Sequence, residues 1–334
     1  MKIPLNGNAD PAPRAGLDAT TLPSQRRGTD EALPPALSGQ RIGFGGLNCY
    51  VAGQGPPLVL LHSVNAAASA AEMRPLFDHY RSTRTVFALD LPGFGFSDRS
   101  DRAYTPRLMT DALHALSHQI RLHCGAAPID ALALSLGCEF LARAASEQPT
   151  HWGRLALVSP TGFKGLHPRQ GAPGSTHAVP GLHALLSLPL WAGALYRGLT
   201  RPAVVRYFLQ RSWGRKAIDE ALWAYDVQLA HQPGARHAPL AFLSGGLFSA
   251  DILGVYESLK QPVWASHGVR GDFTDYRALV RVRGRPNWCF SVFQTGALPY
   301  FEQPAEFCAA FGAFLGTVAG RRPVRAQVGS RVAA

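Results

Sequence analysis

Apolar and polar positions follow two alternating rhythms between residues 41 and 316. Unbroken apolar runs occur at 57–62 (PLVLLH), 85–91 (TVFALDL), 129–134 (IDALAL), 154–159 (RLALVS), 262–265 (PVWA) and 288–293 (WCFSVF). A run of that length without polar alternation predicts a strand buried on both faces. Residues 41–44 and 47–52 predict an antiparallel pair, followed by a turn at Gly53-Gln54-Gly55-Pro56. Helical spacing appears at about 70–80, 105–124, 138–148 and 304–316. Strands alternating with helices predict right-handed crossovers and a mostly parallel sheet flanked by helices, an α/β fold. Residues 163–255 break the rhythm, with several helical patterns and no strand pattern, and read as an inserted helical lid.

The ends differ from this core. Residues 1–39 are rich in Pro, Ala, Gly, Thr and Asp and read as a disordered arm. Residues 317–334 carry Arg321, Arg322, Arg325 and Arg331 with no acid and read as a basic tail. The core is then 40–162 with 256–316, and the lid 163–255.

Composition narrows the picture. The 334 residues are 46% hydrophobic and 16% charged, which suits a globular protein. The net charge of +11 comes mostly from arginine, but no basic stretch interleaved with aromatics marks a nucleic-acid partner. Cys49, Cys124, Cys138, Cys289 and Cys308 are scattered, which argues against a disulfide framework or a structural zinc site. The apolar stretch 185–196 is broken by Pro189 and is too short to cross a bilayer. With no apolar leader behind a basic start, a cytoplasmic location is the expectation. No phosphate loop and no metal-ligand spacing occur, so no cofactor is expected.

The sharpest local feature is Ala133-Leu134-Ser135-Leu136-Gly137. An apolar strand runs into a serine, small residues flank it two positions away on each side, and a helix follows at once. A nucleophile elbow needs this arrangement, because the serine sits on a strained strand-to-helix turn. The first turn of the helix leaves N–H groups free for a developing oxyanion, with Leu136 N–H the expected donor. Two further segments follow strands: His62-Ser63-Val64-Asn65 and Asp90-Leu91-Pro92-Gly93-Phe94-Gly95-Phe96-Ser97-Asp98. With these the chain resembles the α/β-hydrolase superfamily, in its capped branch of epoxide hydrolases, haloalkane dehalogenases and C–C bond hydrolases. The resemblance covers about 41–162 and 256–316. It implies a second oxyanion donor just after His62, at Val64, with Ser63 where the family usually has glycine. It implies a structural role for His62.

A serine nucleophile needs an acid and a histidine after it in the chain. Past the strand at 262–265, Asp272 is the first candidate for the acid and Asp275 the second. The resemblance implies a histidine after the last strand, in a pattern like G-H-x-x-x-x-E-x-P. Gly296, Glu302 and Pro304 fall in register with that pattern, and the histidine position is Ala297. No histidine follows His267. Without an adjacent base a serine is a poor nucleophile at neutral pH. Three readings follow: His267, or a lid histidine such as His177, His183, His231 or His237, supplies the base; the fold performs a lyase-type reaction that needs no triad; or the protein only binds a ligand or partner. The enzyme reading favours an ester, thioester or other carbonyl substrate. The leucines, Trp191 and Tyr196 between 182 and 199 suggest a lipophilic one, if not mere lid packing. The arginines between 197 and 215 suggest an anionic one, an acidic membrane surface, or merely a solvated face.

Overall fold

The computed structural model describes residues 33–316. The expected basic tail and all of the arm before residue 33 lie outside the described residues. Residues 33–39 of that arm are packed against the core: Leu33 and Leu37 are buried, and Pro34 accepts a hydrogen bond from Tyr225 of the lid.

Eight strands form one sheet: β1 (Gln40–Phe44), β2 (Leu47–Ala52), β3 (Pro57–Leu61), β4 (Thr85–Asp90), β5 (Ile129–Leu134), β6 (Trp152–Val158), β7 (Val263–Gly268) and β8 (Trp288–Phe293). Their order across the sheet is β1-β2-β4-β3-β5-β6-β7-β8. The first two are antiparallel to each other, β2 is antiparallel to β4, and every pairing from β4 to β8 is parallel. All five residues of β3 and all six of β5 are buried, as their unbroken apolar runs require.

The crossover helices are α1 (Arg74–Tyr80), α2 (Pro106–Cys124) and α3 (Gly137–Glu147). A 3-10 turn at Ala70–Met73 precedes the first of these. The second starts where the sequence signals it: Thr105 caps the Leu108 N–H and Pro106 occupies the first turn. After β6 come α4 (Leu182–Leu186), α5 (Ala192–Leu199), α6 (Pro202–Trp213), α7 (Glu220–Ala230), α8 (His237–Leu243) and α9 (Ile252–Ser258). The chain then returns to the sheet, with α10 (Val280–Arg283), α11 (Pro299–Glu302) and α12 (Pro304–Gly316) after β7 and β8. Among the described residues no helix is long and apolar enough to cross a membrane.

Two large apolar clusters cover the faces of the sheet. Leu61, Leu113, Ala133 and Leu157 belong to one; Leu60, Leu132, Val158 and Phe311 belong to the other. Successive residues of a strand thus serve opposite layers, which fixes strand register. The register brings Leu134, Val158, Ser266 and Ser291 level across β5 to β8. The loops leaving these strands therefore converge at one edge, where open α/β sheets place their ligand sites.

Candidate active site

Ser135 follows β5 directly and has φ +54°, a left-handed conformation that non-glycine residues rarely hold. Its N–H donates to Val158 O at 2.9 Å and its carbonyl accepts from Cys138 N at 3.1 Å, so the turn is held from both sides. Gly137 opens the following helix because a Cβ there would stand 2.5 Å from His62 O. That close approach brings the first turn of α3 against the loop leaving β3. Ser135 is half-buried, and its hydroxyl makes no hydrogen bond among the described residues.

The loop after β3 is organised by a buried carboxylate. Glu72 accepts the Ser63 N–H at 2.7 Å, the Ser63 hydroxyl at 2.8 Å and the Asn65 amide at 2.9 Å. Burial pushes the Glu72 carboxyl up to about 7 against these three bonds. Ser63 takes a negative φ, so serine in place of glycine is unstrained. Its N–H is committed to Glu72, while those of Val64 and Leu136 have no acceptor among the described residues. His62 is fully buried, its Nε2 accepting the Leu91 N–H at 3.0 Å. Burial lowers its pKa to about 4, so it is a neutral bracket between two loops.

The Asp90–Asp98 segment is also a bracket. The Asp90 carboxylate accepts from Asn48 Nδ2 at 2.8 Å, Phe96 N at 3.0 Å and Ala70 N at 2.9 Å. The motif thus ties β2, β4 and the turn before α1 together.

The acid and histidine loops do not assemble a triad. Asp272 is exposed, and its carboxylate is drawn to the guanidinium of Arg211 at the end of α6. Arg270, two residues before it in the chain, pairs instead with Glu302. Asp275 binds Arg277 and the Gly165 N–H, and the Arg277 guanidinium holds its carboxyl far below the usual range. Ala297 is buried at 7% exposure, and both its backbone groups are engaged. Its N–H donates to Ser212 O of the lid at 2.8 Å and its carbonyl accepts the Ser159 hydroxyl at 2.8 Å. Glu302 holds this loop by accepting the Gly296 N–H at 2.6 Å, and its other oxygen pairs with Arg270 and Arg215. Two arginines of the helical segment between β6 and β7 thus tie it to the rest of the chain: Arg211 to Asp272, Arg215 to Glu302.

His267, next to last in β7, is half-buried, with Nδ1 2.9 Å from Gly268 O and its ring stacked on Tyr276 at 4.0 Å. Burial lowers its pKa. It makes no hydrogen bond to Ser135 or Asp272. His183, His231 and His237 are occupied by Ser187, Val227 O and Asp101.

Two residues escaped the sequence reading. Ser159 follows β6 with φ +47°, a second strained serine one strand away from the elbow. Its signal is a serine closing a buried strand before Pro160. Glu139 lies in the first turn of α3 and is 1% exposed. Its carboxylate accepts the Thr161 hydroxyl at 2.5 Å and the Ser249 N–H at 2.8 Å, and burial pushes it up to about 7. A glutamate between Cys138 and Phe140 could have signalled a buried acid. Both residues line a cleft of about 610 Å³, together with Phe163, His177, Phe248 and Tyr276. The lining reaches the elbow's neighbours without including Ser135.

The raised carboxyl of Glu139 has a thermodynamic signature. Between its ordinary 4.5 and about 7 the folded state keeps a proton that the unfolded chain has released. Its contribution to stability is thus present at low pH and lost as pH rises through that window, by about 3 kcal/mol. Glu139→Gln cannot ionise. Urea unfolding should show the variant gaining on the wild type between pH 4.5 and pH 8. A gap that stays constant with pH would mean Glu139 titrates as an ordinary solvated acid.

Comparisons with known proteins agree with this fold. The model of the α/β-hydrolase fold family matches residues 56–208. A serine hydrolase involved in carbazole degradation superposes with a TM-score of 0.64 at 17% identity, covering 83% of this chain and 97% of that one. A 2-hydroxy-6-oxo-6-phenylhexa-2,4-dienoate hydrolase from a Rhodococcus strain gives 0.64 at 18%, covering 83% and 98%. A probable hydrolytic enzyme from Pseudomonas aeruginosa gives 0.62 at 18%, covering 83% and 93%. No curated protein matches the sequence. The chain is an α/β-hydrolase-fold protein, and its structural neighbours include serine hydrolases and meta-cleavage product hydrolases.

Proposed function

We propose that the protein is a hydrolase-type enzyme acting on a small ester, thioester or other carbonyl compound at Ser135, with the oxyanion received by the N–H groups of Leu136 and Val64. The observation that carries this reading is the left-handed Ser135 beside two N–H groups without acceptors. Holding a non-glycine residue in that conformation costs on the order of 1–3 kcal/mol, and such strain concentrates at functional sites. In the hydrolytic version the Ser135 oxygen bonds to the carbonyl carbon and its proton passes to a base. The alcohol or thiol leaves with a proton, and water then releases the acid. Glu139 is our candidate for proton transfer, since a carboxyl that titrates near neutrality can both take and return a proton.

A second reading, a triad-independent lyase-type reaction or a ligand-binding role, is favoured by the pairing of Asp272 with Arg211 and the closed Ala297 loop. Labelling of the purified protein with a fluorophosphonate probe, read by mass spectrometry, separates the two. Hydrolysis predicts one adduct that vanishes in Ser135→Ala. A folded protein that takes no label would sink the nucleophile and leave the second reading.

A further inference from the structure

The sequence reads the leucines and Trp191 of 182–199 as a face turned toward the elbow or packed on the core. The structure turns several of them outward. Leu185, Leu188, Leu190, Trp191, Tyr207 and Phe208 are all exposed, Leu190 at 86%. Helix α4 buries no residue, and α5 buries only Ala192 and Tyr196. The Tyr196 hydroxyl donates to Ala66 O at 2.7 Å, which anchors that side of α5 on the core. The opposite side, Leu190, Ala194 and Arg197, is therefore left to face outward, with Arg201 just beyond.

The charge on this stretch has one sign. No Asp or Glu occurs between Glu147 and Asp219. Arg206, Arg211 and Arg215 of the lid are paired with Glu220, Asp272 and Glu302. Arg197 and Arg201 have no ion-pair partner among the described residues, and both are exposed. Large exposed leucines, a tryptophan, a tyrosine and a phenylalanine beside unpaired arginines form the composition of an interfacial surface: the apolar side chains enter the acyl boundary and the guanidinium groups meet lipid phosphates. A second copy of the chain fits worse, because the face offers no carboxylate to its own arginines.

We propose that the outer face of α4–α6 docks on a bilayer surface bearing anionic lipid. This goes beyond the chemistry at Ser135 and does not depend on it. It places the lid, the element clamped over the candidate site by Arg211 and Arg215, at the lipid surface.

The test is co-sedimentation of the full chain with vesicles of phosphatidylcholine alone or with about one-third phosphatidylglycerol, at low and at physiological salt. Binding to the anionic vesicles is expected, weakened by salt and much weaker on the neutral ones. One arginine near an anionic surface is worth about a five-fold change in partitioning, so Arg197→Ala with Arg201→Ala should weaken binding roughly twenty-fold. Leu190→Ser should weaken it several-fold with both arginines intact. These positions are exposed, so thermal melting should stay unchanged in all variants. The proposal is overturned if anionic vesicles fail to sediment the protein at low salt. It is overturned too if the α5 variants bind like the wild type while serine at Arg321, Arg322, Arg325 and Arg331 abolishes binding. A dimer in solution that Leu190→Ser dissociates would also overturn it, as would single-stranded RNA held equally by wild type and Leu190→Ser.

Discussion

Gly95→Ala is expected to destabilise the protein by about 5 kcal/mol, enough to unfold much of a typical domain at 37 °C. Gly95 has φ +52°, and a Cβ there would stand 2.0 Å from the carboxyl carbon of Asp90. Backbone strain accounts for about 1–2 kcal/mol. The larger share comes from displacing Asp90, whose carboxylate accepts from Asn48, Phe96 and Ala70 in a fully buried setting. Each buried donor left without its acceptor costs about 1–3 kcal/mol. Denaturant melts of wild type and variant would check this. A loss under about 2 kcal/mol would show that Asp90 can move aside and that the motif is not the bracket described above.

Ala297→His is expected to lower stability by about 3 kcal/mol, roughly 10 °C in Tm, and to leave ester hydrolysis unchanged. The naive expectation from the sequence is the reverse, that restoring the histidine restores the triad. Ala297 is buried, and its N–H is bonded to Ser212 O at the end of α6. Trp213, 2% exposed, belongs to the same apolar cluster. An imidazole there must displace packed atoms. It would also find no acid to orient it, because Asp272 is exposed and paired with Arg211. Calorimetry and hydrolysis of a chromogenic ester give the two readouts. A gain of more than about a hundred-fold in hydrolysis would mean that Asp272 swings inward and that the lid yields to the imidazole.

Such a failure would differ in kind from ordinary triad loss, where the scaffold stays intact around a missing group and keeps residual catalysis. Here Ser212 O bonds the Ala297 N–H, and Arg211 and Arg215 hold Asp272 and Glu302. Glu139, which burial pushes up to about 7, is the proton-transfer group of the proposed reaction.

The sequence by itself determined the sheet, the crossover helices and the sharp strand-to-helix turn at Ser135. Unbroken apolar runs mark buried strands because a strand covered on both faces has no polar side, and 57–62 and 129–134 each gave one, whereas 288–293 gave the edge strand β8 with Val292 exposed, because no further strand follows to cover it. Ser135 was legible because its turn demands small neighbours, a local requirement written within five residues. The absence of a histidine after His267 was equally plain. Only the tertiary structure decided where charged and apolar side chains point. Asp272 read as the acid of a triad, yet Arg211, 61 residues away, holds its carboxylate. Glu139 drew no reading from the sequence; Thr161 and Ser249, remote in the chain, bond its carboxylate in a buried place. The leucines after 182 read as an inward face, yet Leu185, Leu188 and Leu190 are exposed, while Tyr196 anchors the other side of α5 on Ala66 O. Periodicity reports which face of an element is apolar; what that face meets depends on partners remote in the chain, and so only the folded arrangement fixes it.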